Sequence, residues 1–258
     1  MSSVFGNPFG FRTLFLKECK RFTAVLGQTV GAPVITALLY LLVFAQAMSG
    51  RTPVYEGVSY SAFLVPGLIM MTVIQNAFAN TSSSLIQSKV MGNLVFVRLA
   101  PIGAVEWFLA YVGAALVRSL LVAMAMLAVT APFLDLPFAR PLELFAIFVL
   151  GATALAAGGV IVGLVSQKFD HIAAFTNFFI TPLSFLSGVF YSVNALPAFW
   201  KTASHFNPFF YMIDGFRYGM FGQADAPIWL SLASSFAFAL VMSGIALKML
   251  ADGYSLRK

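Results

Sequence analysis

Long runs without a formal charge alternate with short charged segments along this chain. Phe22–Gly50, Gly57–Ser88, Leu144–Gln167, Ile172–Trp200 and Ala226–Leu247 carry no charge, and a sixth run, Trp107–Leu134, is broken by Arg118 alone. A membrane-crossing helix needs about 20 apolar residues. The pattern therefore predicts six transmembrane helices, at 28–48, 61–83, 106–131, 142–165, 171–192 and 227–249. No run alternates apolar and polar residues with period two, which argues against a β-barrel. The expected fold is an all-α polytopic membrane protein with one domain over 1–258.

Residues 10–24 read differently. At 100° per residue Phe11, Leu14, Phe15, Cys19 and Phe22 share one side, and Thr13, Lys17, Lys20 and Arg21 the other. That is an interfacial amphipathic helix in the headgroup plane. Glu18 falls near the apolar side, against the pattern, where a protein partner suits it better than lipid. Cys19 reads as apolar filler, and a single cysteine forms no intrachain disulfide.

The second predicted span carries Asn76, Asn80, Ser83 or Ser84, and Gln87 at helical spacing; the fifth carries Asn177, Thr181, Ser184, Gly188 and Tyr191. A polar stripe inside lipid faces either another helix or a water-lined path. Arg118 lies near the middle of the third span, where an arginine costs at least about 2.5 kcal/mol. It is either a functional group or half of a structural pair. In the fourth span Gly159 and Gly163 form a Gly-xxx-Gly step that permits close backbone approach.

Residues 193–222 lie between the last two predicted spans. Leu196–His205, with Pro197 near its start, is one short segment; Asn207-Pro208 caps and opens another, and Gly222 stops it. A helix of about 14 residues spans roughly 21 Å, short of the roughly 30 Å hydrocarbon core. The pair reads as a re-entrant helical hairpin on the outer side. Its aromatics are expected at interface depth, with Asp214 and Arg217 neutralising each other at i, i+3.

Composition supports the membrane reading: 60% of the 258 residues are hydrophobic, 9% are charged, and mean hydropathy is +0.91. With the N-terminus inside, ten basic residues fall on cytoplasmic segments: Arg12, Lys17, Lys20, Arg21, Lys89, Arg98, Lys168, Lys248, Arg257 and Lys258. Four fall outside: Arg51, Arg140, Lys201 and Arg217. The positive-inside rule then sets both termini in the cytoplasm. The first run is too long for a signal core, so no cleaved signal is expected. The net charge of +6 points to anionic lipid rather than nucleic acid.

Enzymatic motifs are scarce. No G-x-x-x-x-G-K-[ST] loop occurs, and no His/Cys/carboxylate pattern suggests a metal. The two histidines, His171 and His205, fall in opposite-facing loops. A membrane enzyme using His205, Asp214 and Arg217 at the outer interface is one alternative. A scaffold without cargo is another.

Four stretches carry a resemblance: APVITALLYLLVF (32–44), FLVPGLIMMTVIQNAFANTSSS (63–84), FDHIAAFTNFFITPLSFLSGVFYSVNALPAFWKTASHFNP (169–208) and YMIDGFRYGMFG (211–222). Together they resemble the permease subunits of ABC-2 type exporters, within them the YadH-like bacterial inner-membrane permeases. The resemblance implies a homodimer served by two copies of a separate ABC ATPase, which would hold the ATP and Mg. It implies a cytoplasmic coupling loop at 88–103, with Phe96 and Arg98 on it. Phe15, Glu18 and Arg21 of the amphipathic helix, and Lys168 and Asp170 of the next inner turn, would also take part in ATPase coupling. Relatives often carry paired acids where this chain has Gly92-Asn93-Leu94-Val95-Phe96. On this reading Asn76, Asn80, Ser84, Arg118, Asn177, Thr181 and Ser184 are the candidates for a translocation path, and the cargo is an amphiphile such as a drug, a lipid or a lipid-linked glycan.

Overall fold

A computed structural model describes residues 7–47 and 54–253. These residues are helical apart from their connections and one bridge between Tyr55 and Val58. Helix α1, Pro8–Thr23, begins at Asn7, whose side chain accepts the Gly10 N–H at 2.8 Å. A π-helical turn, Gly27–Gly31, leads into α2, Ala32–Ala47. Then come α3 (Tyr60–Val90), the short α4 (Leu94–Leu99), α5 (Ala104–Thr130) and α6 (Pro141–Val165). Next, α7 (Phe169–Phe175) passes through a second π turn, Thr176–Ile180, into α8 (Thr181–Phe185). Two short helices, α9 (Ala198–His205) and α10 (Pro208–Phe221), precede α11 (Ile228–Ala251).

Among the described residues five segments are long and apolar enough to cross a membrane: Gly27–Ala47, Tyr60–Val90, Ala104–Thr130, Pro141–Val165 and Ile228–Ala251. The predicted span at 171–192 differs. Its helical run covers Phe169–Phe185, roughly 25 Å at the helical rise, and the chain then turns, with Gly188 at φ 76°. Lack of charge marks what an apolar surrounding tolerates, not where a helix ends. The buried Ser187 hydroxyl bonds the Ser184 carbonyl at this helix end.

The central helix is α3, buried along nearly its whole length between α5 and α6. Glycines on α6 make this possible. A methyl at Gly159 would stand 2.1 Å from Thr81 Oγ1 and 2.4 Å from the Phe78 carbonyl oxygen. Thr81 Oγ1 also donates to the Ala156 carbonyl at 2.8 Å, tying the two helices at that crossing. At the periphery, α2 turns Ile35, Leu39 and Leu42 outward, and α11 turns Phe236 and Leu240 outward.

Candidate functional site

The polar stripe on α3 is taken up by charged side chains from α1 and α5. Arg118 donates from Nη2 to Asn76 Oδ1 at 2.8 Å. One turn further on, Arg21 reaches from α1 and donates from Nη2 to the Asn80 carbonyl (2.7 Å) and to Asn80 Oδ1 (2.9 Å). A turn beyond that, the Ser84 hydroxyl donates to Glu18 at 2.6 Å. Glu18 also accepts from Lys17 Nζ at 3.0 Å and Arg21 Nε at 3.1 Å. The carboxylate is 0% exposed, so its burial is compensated by three donors.

The reading of α1 changes accordingly. Leu14, Glu18 and Phe22, four residues apart, form its buried stripe. Glu18 is met by this chain's own Ser84, and Arg21 turns inward instead of joining the outer basic face. Phe15 packs on α5, its ring 3.2 Å from where a Gly113 methyl would stand. The helix's own periodicity placed Leu14 and Phe22 on the apolar side with Glu18 near it, but not Ser84 and Asn80 as partners or the inward turn of Arg21, because those partners lie more than fifty residues away.

Beside this seam lies a cavity of about 450 Å³ between α2, α3, α5 and the α7–α8 run. Gln28, Thr36, Thr72, Gln75, Asn76, Arg118, Thr176 and Thr181 supply its polar lining; Ala37, Met71 and Phe185 are among its apolar walls. Each of its outer helical segments contains a π turn, and each π turn contributes a polar residue: Gln28 in one, Thr176 in the other. Such turns shift the register of every later side chain and recur at functional sites.

That shift breaks the predicted stripe on the fifth run. Thr181 lines the cavity, but Asn177 is exposed, and the buried Ser184 returns its hydroxyl to the Ile180 carbonyl at 2.7 Å. Thr176 stands at the cavity instead. Gln28, Thr36, Thr72, Gln75 and Thr176 are lining residues missed from sequence; the adjacency of Gln75 to Asn76 and of Thr176 to Asn177, and the one-turn spacing of Thr72 from Asn76, hinted at three of them.

The segment before α11 also departs from expectation. Asn207 caps α10 by accepting the Phe209 N–H at 3.0 Å, and Pro208 opens the helix, as predicted. Phe209, Phe210, Tyr211 and Phe216, however, are buried in protein rather than set outward. Asp214 and Arg217 stand 3.9 Å apart, and each has closer partners. The Asp214 carboxylate accepts the N–H groups of Asp225 and Ala226, both at 2.8 Å. Arg217 donates to the Gly188 carbonyl at 2.9 Å and lies 3.9 Å over the Phe63 ring. Thus α10 is pinned at one end of its charge pair to the start of α11 and at the other to the turn after α8. His205 sits against Phe210 and Tyr211, its Nδ1 3.4 Å from the Tyr211 hydroxyl.

At the end where α3 hands over to α4, Val95, Phe96 and Leu99 are exposed, Phe96 at 71%, while Leu94 is buried. Val90 and Met91 extend this apolar surface. Lys168 and Asp170 are exposed beside Phe169. Lys89 caps the C-terminus of α6 through the Leu164 and Ser166 carbonyls. The side chain of Arg98 lies outside the described residues, as do Arg51, Arg257 and Lys258. No cluster of three metal-binding side chains occurs among the described residues.

Residues 10–221 match the family described as ABC-2 type transporter. The chain is 35% identical over 246 residues to the inner membrane transport permease YadH of Escherichia coli (strain K12), covering 95% of this chain and 96% of that protein. The same identity and coverage hold for the protein of that name from Shigella flexneri. It is also 27% identical over 235 residues to Nodulation protein J of Sinorhizobium fredii (strain NBRC 101917 / NGR234), covering 84% of this chain and 82% of that one.

Proposed function

The chain belongs to the ABC-2 type transporter family and is a membrane transport subunit, and from that premise we propose that it is the permease of an ATP-driven exporter of amphiphiles in a bacterial inner membrane. The carrying observation is the half-open cavity at Arg118, which sets polar side chains among apolar walls, in a protein whose peripheral helices turn apolar faces outward. A cavity of about 450 Å³ falls within the roughly 300–1,000 Å³ of small-molecule sites. Polar lining next to apolar walls suits a molecule that is itself divided between head and tail.

No nucleotide-binding loop is present, so ATP and Mg belong to a separate ABC ATPase, two copies to a dimer of this chain. The exposed apolar surface of Val95, Phe96 and Leu99 supports docking of that ATPase at the coupling loop. Lys168 and Asp170 extend this face. Because α1 is bonded to α3 through Glu18 and Arg21, a push on the inner face can reach Asn76 and Arg118 along one helix. The Phe169–Phe185 run would be a sixth, shorter crossing, and α9–α10 a hairpin that enters and returns on the outer side. Both termini would then be cytoplasmic.

The experiment is co-reconstitution of the chain with its ABC ATPase in liposomes holding a fluorescent amphiphile. ATP-dependent movement of the probe, with ATPase activity raised above that of the ATPase alone, is expected. An ATPase that binds the chain yet shows neither effect across a panel of amphiphiles would overturn the proposal.

A further inference from the structure

Among the described residues Arg118 is a cation without a counter-ion. Its side chain is 8% exposed and lines the cavity. Its one hydrogen-bond partner among the described residues is the neutral amide of Asn76, and its buried Nε has none. The ion pairs of the described residues involve Glu18 and Asp214, not Arg118. No carboxylate lines the cavity. A guanidinium stays charged across physiological pH, and the centre of an apolar span is a costly place for it.

The neutral lining has matching chemistry. Gln28, Gln75 and Thr181 bring amide and hydroxyl donors to the same space, while the Thr176 hydroxyl is held by the Ile172 carbonyl at 2.8 Å. Water there could satisfy single hydrogen bonds but would leave the charge uncompensated. A phosphate or carboxylate would satisfy both, since a guanidinium binds either through two parallel N–H groups. Resting on the transport reading above, we infer that this cavity binds an anionic group, and that Arg118 selects anionic over neutral amphiphiles.

The test measures equilibrium binding to the full chain in nanodiscs without any ATPase, so its outcome is independent of the transport assay. The probes are radiolabelled dodecyl phosphate, the neutral dodecanol, and inorganic phosphate as competitor. Dodecyl phosphate is expected to bind the wild type at least about tenfold more tightly than dodecanol. Arg118→Gln should lose that preference and Arg118→Lys, which keeps the charge without the two parallel N–H groups, should keep part of it. Thr181→Asp, which supplies a carboxylate to the cavity while keeping the arginine, should lose it as well. This second variant covers the case in which Arg118→Gln does not fold. Competition by inorganic phosphate at equal concentration would assign the site to a free anion; its failure to compete would assign it to a lipid-borne headgroup. Equal binding of dodecyl phosphate and dodecanol, or an undiminished preference in both Arg118→Gln and Thr181→Asp, would overturn the inference.

Discussion

Glu18 and Ser84 join the amphipathic N-terminal helix to the central helix by a 2.6 Å hydrogen bond inside the protein. The same carboxylate holds Arg21, which in turn grips Asn80. Replacing Glu18 by Ala leaves the Ser84 hydroxyl without its acceptor and Arg21 still bonded to the two oxygens of Asn80. Losing the hydrogen bonds to a buried charged acceptor costs about 1–3 kcal/mol, so Glu18→Ala should lower the unfolding temperature in detergent. Glu18→Ala with Arg21→Ala should cost less than the two single changes added together. Strict additivity would show that the two residues do not act as a unit.

Asp214 and Arg217 provide a second case. A purely local i, i+3 pair would tolerate exchange of its members. Here Asp214 serves two backbone N–H groups before α11, and Arg217 serves the carbonyl of Gly188. The exchange Asp214→Arg with Arg217→Asp is therefore expected to be as damaging as the worse single change, read by thermal unfolding and folded yield. A well-folded exchange variant would contradict these separate roles.

Two neighbouring glycines offer a matched comparison. Gly159→Ala drives a methyl into Thr81 and the Phe78 backbone, whereas Gly158→Ala meets nothing within 4 Å. Overpacking costs about 1–3 kcal/mol, while alanine gains up to about 1 kcal/mol over glycine in a helix. Gly159→Ala should destabilise the protein and Gly158→Ala should leave it unchanged or raise its unfolding temperature. Equal effects would mean that α3 and α6 do not approach as closely as described.

Asn76 is the hydrogen-bond acceptor for Arg118. Asn76→Ala leaves the buried guanidinium without that acceptor and should cost about 1–3 kcal/mol. Asn76→Asp restores an acceptor and supplies the missing negative charge. It should match or exceed the wild type in thermal unfolding while losing transport of anionic probes.

Phe96 is the most direct test of ATPase docking. It is 71% exposed, so Phe96→Asp removes no core contact and should leave the unfolding temperature in place. Stimulation of the ATPase should fall several-fold, because a charge then sits at the centre of an apolar docking surface. Normal stimulation in this variant would move the docking surface elsewhere.

Sequence alone determined the lipid-facing class, because hydrophobic run length is a local property that the thickness of a bilayer makes decisive. It also marked the Asn207-Pro208 start and Gly222 stop of α10, which depend on a few adjacent residues, and the close approach at Gly159 and Gly163. Of the cavity it identified Asn76, Arg118 and Thr181. Tertiary structure decided the rest. The π turn at Thr176–Ile180 set Thr176, not Asn177, on the cavity side with Thr181, and no helical wheel drawn at a constant 100° contains such a shift. Beyond their own helices, Glu18 and Arg21 meet Ser84 and Asn80, and Asp214 and Arg217 meet the backbone at Asp225, Ala226 and Gly188, all from other parts of the fold. Periodicity shows that a polar side chain must avoid lipid; which group receives it depends on how the helices are packed.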